Sequence, residues 1–271
     1  MNVFELQDDI NTSSIWKSHL NLEERIALAN SLEVIKGKKN FQLVQFWGKI
    51  IGKNATYYIL IGRGEDILLD KSFYYSFDCL NWNDLPIANN TFDINLINST
   101  FIGYPSYIYK IDSNQSGREV KDEDAEEDKD IKNSMYEEER IAKVVAMMED
   151  EVSIAPIGAY IQTVDGTVKP NPSFSGLSKH MAIRASSYVH LRKPATSWTG
   201  RLWKNLEFLQ PITEDIIPDQ WMVRLTPNHS SIMIMNYLWP GMVFYHKIQT
   251  KSFSQLYIGD GRRNNDLQFM F

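Results

Sequence analysis

The side chains of this chain that could do acid–base, nucleophilic or metal chemistry are five histidines, one cysteine and a scatter of aspartates. His19, His180, His190, His229 and His246 fall at no spacing that lets two of them, or one of them and Cys79, close on a metal ion. His180 and His190 stand nearly three helical turns apart and cannot share one ion along a straight helix. The IGRGED stretch imitates a dinucleotide loop with Gly62 and Gly64. It lacks the third glycine, and Ile67 to Leu69 open no crossover helix. GDGRRNND evokes a calcium loop, but its acidic spacing departs from the required order, and a glycine turn rimmed by polar groups accounts for it. No nucleophile elbow, phosphate-cradling Walker loop or kinase signature is present. Cys79, beside Phe77 and Leu80, reads as a small buried hydrophobe. An enzyme or ligand-binding reading therefore requires a site assembled only in three dimensions, for which His246, Asp260 and Asp266 are the candidates. The residues themselves predict no catalytic group, cofactor, metal or small-molecule substrate.

The elements that would position such groups are mostly strands. Two stretches combine aromatics with glycines: FWGKIIGKNATYYILIGRGED from position 46, and LWPGMVFYHKIQTKSFSQLYIGDGRRNNDLQFMF from position 238. Strict alternation places Trp47, Lys49 and Ile51 on one face and Phe46, Gly48 and Ile50 on the other. Gly48 inside the strand marks a bulge or a close approach of another backbone, and Lys53 with Asn54 separates a hairpin. Asn21 and Glu24 form a capping box for a helix over 22–36 that Gly37 stops. A short strand and turn follow around 73–86, and TFIGYPSYIYK reads as an edge strand because of Pro105. Residues 112–134 are polar and acidic and predict an exposed, mobile insert. Ile141, Val144, Val145 and Met148 then make a narrow apolar stripe on a charged helix. Asp165-Gly166 predicts a hairpin turn, 177–192 a helix ending before Pro194, and 196–218 keeps partial helical spacing without caps. WMVRLT, SIMIMNYLW, MVFYHKI and SQLYIGD form an antiparallel meander with turns at Pro240-Gly241 and Lys251-Ser252. The expected fold is α+β: a predominantly antiparallel sheet with an N-terminal helix and two or three peripheral helices, as a single domain over 1–271.

Composition narrows the function classes. A chain of 271 residues, 43% hydrophobic and 12% aromatic, can bury a substantial core. Its net charge of -6 argues against nucleic acid as a partner. One cysteine excludes an intrachain disulfide and fits a reducing, cytosolic compartment. The N-terminus has no signal-peptide pattern and no apolar run is long enough to span a bilayer, so no membrane role is expected.

The two aromatic-glycine blocks, with FIGYPSYIY, IAPIGAYIQT, FSGLS and SSYVHLRKP between them, closely resemble the radial spoke head protein 9 family of motile cilia. The segment LWPG followed by FYH carries most of that likeness. The resemblance implies a non-catalytic structural subunit of the radial spoke head in the axoneme of the cilium or flagellum, within the cytoskeleton. It implies packing against the larger, related spoke-head subunits and a part in mechanical signalling between the central pair and the dynein arms. Nothing functional carries over onto the first twenty residues, the acidic run or 196–218.

Interfaces favour Tyr, Trp and Met, and 13 Tyr, 7 Trp and 10 Met suit an assembly surface. The interface candidates are Trp47, Tyr58, Trp239, Tyr245 and Phe271, with Pro240 and Gly241 setting the turn that aims the neighbouring rings. The acidic run over 119–130 is the candidate contact with central-pair projections.

Overall fold

A computed structural model describes residues 20–87, 99–110, 134–192, 208–217 and 219–269. The predicted acidic insert, apart from Ser134, lies outside these residues, as do positions 196–207 and Phe271.

Helix α1 (Leu22–Lys39) starts where the sequence places it, with the Asn21 N–H donating to Glu24 Oε2 at 2.9 Å. It passes through Gly37 and stops at Asn40, which takes the left-handed cap conformation at φ 56°. The predicted stop at Gly37 is thus three residues early: a helix tolerates one interior glycine at a cost of about 1 kcal/mol.

The sheet is two four-stranded antiparallel meanders laid side by side. The N-terminal one is β1 (Leu43–Ile51), β2 (Thr56–Arg63), β3 (Lys71–Ser76) and β4 (Asn83–Asp84). The C-terminal one is β11 (Trp221–Leu225), β12 (Ser231–Asn236), β13 (Met242–Lys247) and β14 (Phe253–Gly259). The spatial order is β11-β12-β13-β14-β1-β2-β3-β4, so the first and last strands meet at the centre. They pair in parallel, Gly48 opposite Tyr257 and Ile50 opposite Gly259. A parallel pair requires a long crossover, and here the whole chain between β4 and β11 supplies it. The two aromatic-glycine blocks are therefore the two sides of one seam.

Gly48 has the close approach its position implies. An added Cβ would lie 2.2 Å from the Tyr257 carbonyl oxygen, and the backbone sits at φ 156°. A register shift between Phe46 and Gly48 also makes Trp47 an extra residue. This corrects the strict alternation expected along β1. Beyond the bulge the parity flips, so Trp47 and Ile50 share one core cluster while Phe46 belongs to the opposite one.

Both faces of the sheet are covered. Leu28, Leu32 and Ile35 of α1 pack with Val44, Phe46, Tyr58, Leu60 and Tyr74. On the other face lies α2 (Glu137–Val152), whose predicted stripe of Ile141, Val144, Val145 and Met148 is fully buried against Trp47, Tyr57, Ile59, Trp239 and Tyr257. Each such aliphatic contributes about 1.5–3 kcal/mol of burial free energy.

Two further readings change. The helix expected over 177–192 is only α3 (Lys179–Ala182), then a 3-10 turn at Ala185–Ser187 and strand β10 (Tyr188–His190) against β7 (Ile154–Pro156). Ser178 caps the short helix, and Tyr188 reaches back to donate to the Ala182 carbonyl at 2.9 Å, so the aromatic-branched triplet is captured by a strand partner. The expected edge strand at 100–110 contributes only β5 (Ile108–Lys110), paired with β6 (Ser134–Tyr136) in a separate ribbon. The Asp165-Gly166 turn joins β8 (Tyr160–Gln162) to β9 (Val168–Pro170) as predicted.

Candidate functional site

The densest polar chemistry gathers along α2, at three carboxylates. Glu137, at its first turn, is completely buried. It accepts from the Tyr57 hydroxyl (2.6 Å), the Tyr109 hydroxyl (2.5 Å) and the N–H groups of Ile102, Gly103 and Tyr104 (2.7–2.8 Å). Burial pushes its pKa up, but the phenols and N–H groups outweigh that, and the carboxyl sits below its ordinary value. Tyr57 and Tyr109 are pushed upward by burial and by that anion. Residues 102–104 thus form a backbone cradle, not a sheet edge. One turn on, buried Arg140 stacks on the rings of Phe101 and Tyr109, 4.1 and 4.7 Å to their centroids, and donates to the Ser99 carbonyl.

Glu149, also buried, accepts from Arg63 at 2.7 Å, from the Trp47 indole at 3.1 Å, and pairs with Lys71 at 3.2 Å. Burial raises its pKa, while Lys71, Arg63 and Trp47 lower it further, to about 2. Lys71 responds oppositely: lost hydration and repulsion by Arg63 outweigh the attraction of Glu149, and its pKa falls. One carboxylate shared by two cations satisfies itself more fully than either of them. Glu151 completes the row, accepting from the Trp239 indole at 2.6 Å and from Arg263 at 3.1 Å.

Each carboxylate ties α2 to a different part of the protein: the 101–104 loop, the N-terminal meander, and the turn after β12 with the segment after β14. Their charge is neutralised from inside the fold, and what the arrangement does is hold the two halves of the sheet against one helix.

A fourth cluster joins His190 to Asp215 at 2.8 Å, with the Trp221 indole at 2.7 Å and Gln220 on the same carboxylate. Burial raises the pKa of Asp215, but His190 and these donors bring it below its ordinary value. The cluster links β10 to the edge strand β11.

The three-dimensional site considered from sequence does not form. His246 pairs with Phe253 at the start of β14, whereas Asp260 follows its end. Seven strand residues separate them by about 23 Å. His246 is buried among Phe174, Tyr188 and Phe244, and burial pushes its pKa down to about 4. Among the described residues no three His, Cys, Asp or Glu side chains are grouped to hold a metal ion, and no helix is long and apolar enough to cross a membrane. Cys79 is buried as expected.

Four of the aromatic interface candidates lie within the described residues, and all four are buried in the chain itself. Trp47, Tyr58, Trp239 and Tyr245 are between 0% and 8% exposed, and a ring already buried has little area left to offer a partner. Pro240 and Gly241 are exposed, and the Gly241 carbonyl accepts from the Ile258 N–H at 3.0 Å, so that turn closes the sheet locally. Glu137, Arg140, Glu149, Arg63, Lys71 and Asp215 escape a search by motif. A signal existed: the apolar stripe of α2, extended by helical steps, lands on Glu137 and Arg140 at one end and on Glu149 at the other, and charges on a buried face require buried partners.

No protein-family model matches the chain. It is 34% identical over 260 residues to the radial spoke head protein 9 homologue of Danio rerio, and 32% identical over 259 residues to those of Bos taurus and Homo sapiens. Each alignment covers 93% of this chain and 93% of the relative.

Proposed function

Because the chain belongs to the radial spoke head protein 9 family, we propose that it is a non-catalytic structural subunit of the spoke head in the ciliary axoneme, needed for assembly of the head and for passing mechanical signals between central pair and dynein arms. Its partners are the larger, related spoke-head subunits. The observation that carries this reading is the α2 clasp: carboxylates that in an enzyme would face substrate are here bonded to cations, phenols and indoles of the sheet. A body that transmits force needs such cross-links, since each one resists shear between helix and sheet without any chemistry of its own.

The parallel seam between first and last strands supports one folding unit over 1–271. The acidic run over 119–130 is the element of this reading that meets central-pair projections, and replacing its acids with Ser weakens that contact. The reading as a whole is tested by recovering a tagged copy from isolated axonemes and identifying the co-purifying chains by mass spectrometry. Spoke-head subunits are expected; recovery of the chain alone from the soluble pool refutes it.

A further inference from the structure

Helix α1 is apolar on two sides. Leu28, Leu32 and Ile35 face the sheet, yet Leu22, Ile26 and Val34 on another side are 65%, 53% and 52% exposed. A helix with one buried face normally turns charged residues outward, and a second apolar row calls for a second neighbour. The row runs at four-residue steps through Leu22, Ile26, Asn30, Val34 and Lys38. Its last three members form one wall of a groove of about 510 Å³. The opposite wall is the sheet edge and the turn before it: Tyr74, Leu80, Trp82 and Asp84. Leu80 is 60% exposed, and the Trp82 indole N–H is buried with no hydrogen-bond partner among the described residues.

The unpaired charge at this end is basic. Lys36, Lys38 and Lys39 fill the last turn of α1. Lys39 is neutralised by Asp84 at 3.2 Å, whereas among the described residues Lys36 and Lys38 make no ion pair. We propose that this groove is the docking site for an acidic, apolar peptide segment of another spoke-head subunit. The segment seats aliphatic or aromatic side chains on Val34 and Leu80, and a carboxylate of it meets Lys38. The identity of the partner as a spoke-head chain rests on the function proposed above; the chemistry of the occupant rests on the groove.

The test uses the full chain in ciliated cells that lack the native copy. A photo-reactive cross-linker at Leu80 reports what lies in the groove, and the Val34→Glu/Leu80→Glu double variant reports whether it matters. Both positions are more than half exposed, so the variant's melting transition should match that of the parent. The expected result is a cross-link to an acidic, apolar segment of a different chain, and a loss of that chain from the double variant of about tenfold or more in recovery. Charge reversal at Lys38 should weaken the same contact, and raised salt should weaken it further. A cross-link to residues 1–19 of the same chain, to a second copy, or to nothing overturns the proposal, as does unchanged recovery from the double variant. A cross-link to an acidic segment of a protein outside the spoke head upholds the groove and refutes the spoke-head reading. Recovery of spoke subunits with no groove cross-link does the reverse.

Discussion

Replacing Glu149 by Gln tests whether the α2 clasp holds the fold together. The substitution keeps the shape and removes the charge, which leaves Arg63 and Lys71 buried beside a neutral amide. Two considerations set the size of the effect. Moving a carboxyl from its ordinary 4.5 to about 2 corresponds to about 3 kcal/mol in favour of the ionised, folded form. Breaking a buried ion pair from one side costs roughly 3–5 kcal/mol. Glu149 is only 2% exposed, so solvent screening leaves both figures standing. The pH dependence follows from the depressed pKa. The contribution is fully present above the unfolded value near 4.5 and is lost as pH falls through about 2. The gap in unfolding free energy between native protein and E149Q should therefore be about 3–5 kcal/mol at pH 7 and shrink by about 2 kcal/mol at pH 3. Urea unfolding at the two pH values measures it, and the other carboxylates cancel because both proteins carry them. A gap below about 1 kcal/mol that does not move with pH refutes the reasoning.

Three further outcomes follow from the same structure. Gly48→Ala forces a methyl to 2.2 Å from the Tyr257 carbonyl across the parallel seam, and should cost on the order of 3 kcal/mol or more or abolish soluble expression; an unchanged melting curve would contradict the seam. Trp239→Ala should destabilise the isolated chain by about 3–5 kcal/mol, because the ring is fully buried and its indole holds Glu151. A stable monomer that merely fails to enter spokes would make Trp239 an interface residue instead. Burial pushes the Cys79 thiol up to about 12, so alkylation by iodoacetamide at pH 8 should be slow in the folded chain and fast in urea; rapid labelling without denaturant refutes the burial.

Much of the fold can be read from local pattern. The four strands of the C-terminal meander, the β1–β2 hairpin, the start of α1 and the stripe of α2 all stand where periodicity and turn residues place them, because each depends on neighbours a few positions away. The misreadings also have local causes. The 177–192 stretch has residues of acceptable helical propensity, and only the pairing of Tyr188 and Val189 with Pro156 and Ala155 makes a strand of it. Along β1, one inserted residue at Trp47 inverts the faces of everything after it, and a bulge is invisible to a period-two count. Residue type likewise does not distinguish a ring that packs inward from one that packs on a partner.

The sequence by itself determined the family, the fold class and the lack of any recognisable catalytic motif, since each of these is written in residue identity and short spacing. Only the tertiary structure decided that the two aromatic-glycine blocks form one parallel seam, and that Glu149 is shared between Arg63 and Lys71. The Arg63–Glu149 contact spans 86 residues of chain. Partners so distant are chosen by how the helix lies on the sheet, and that geometry exists only once the whole core has closed.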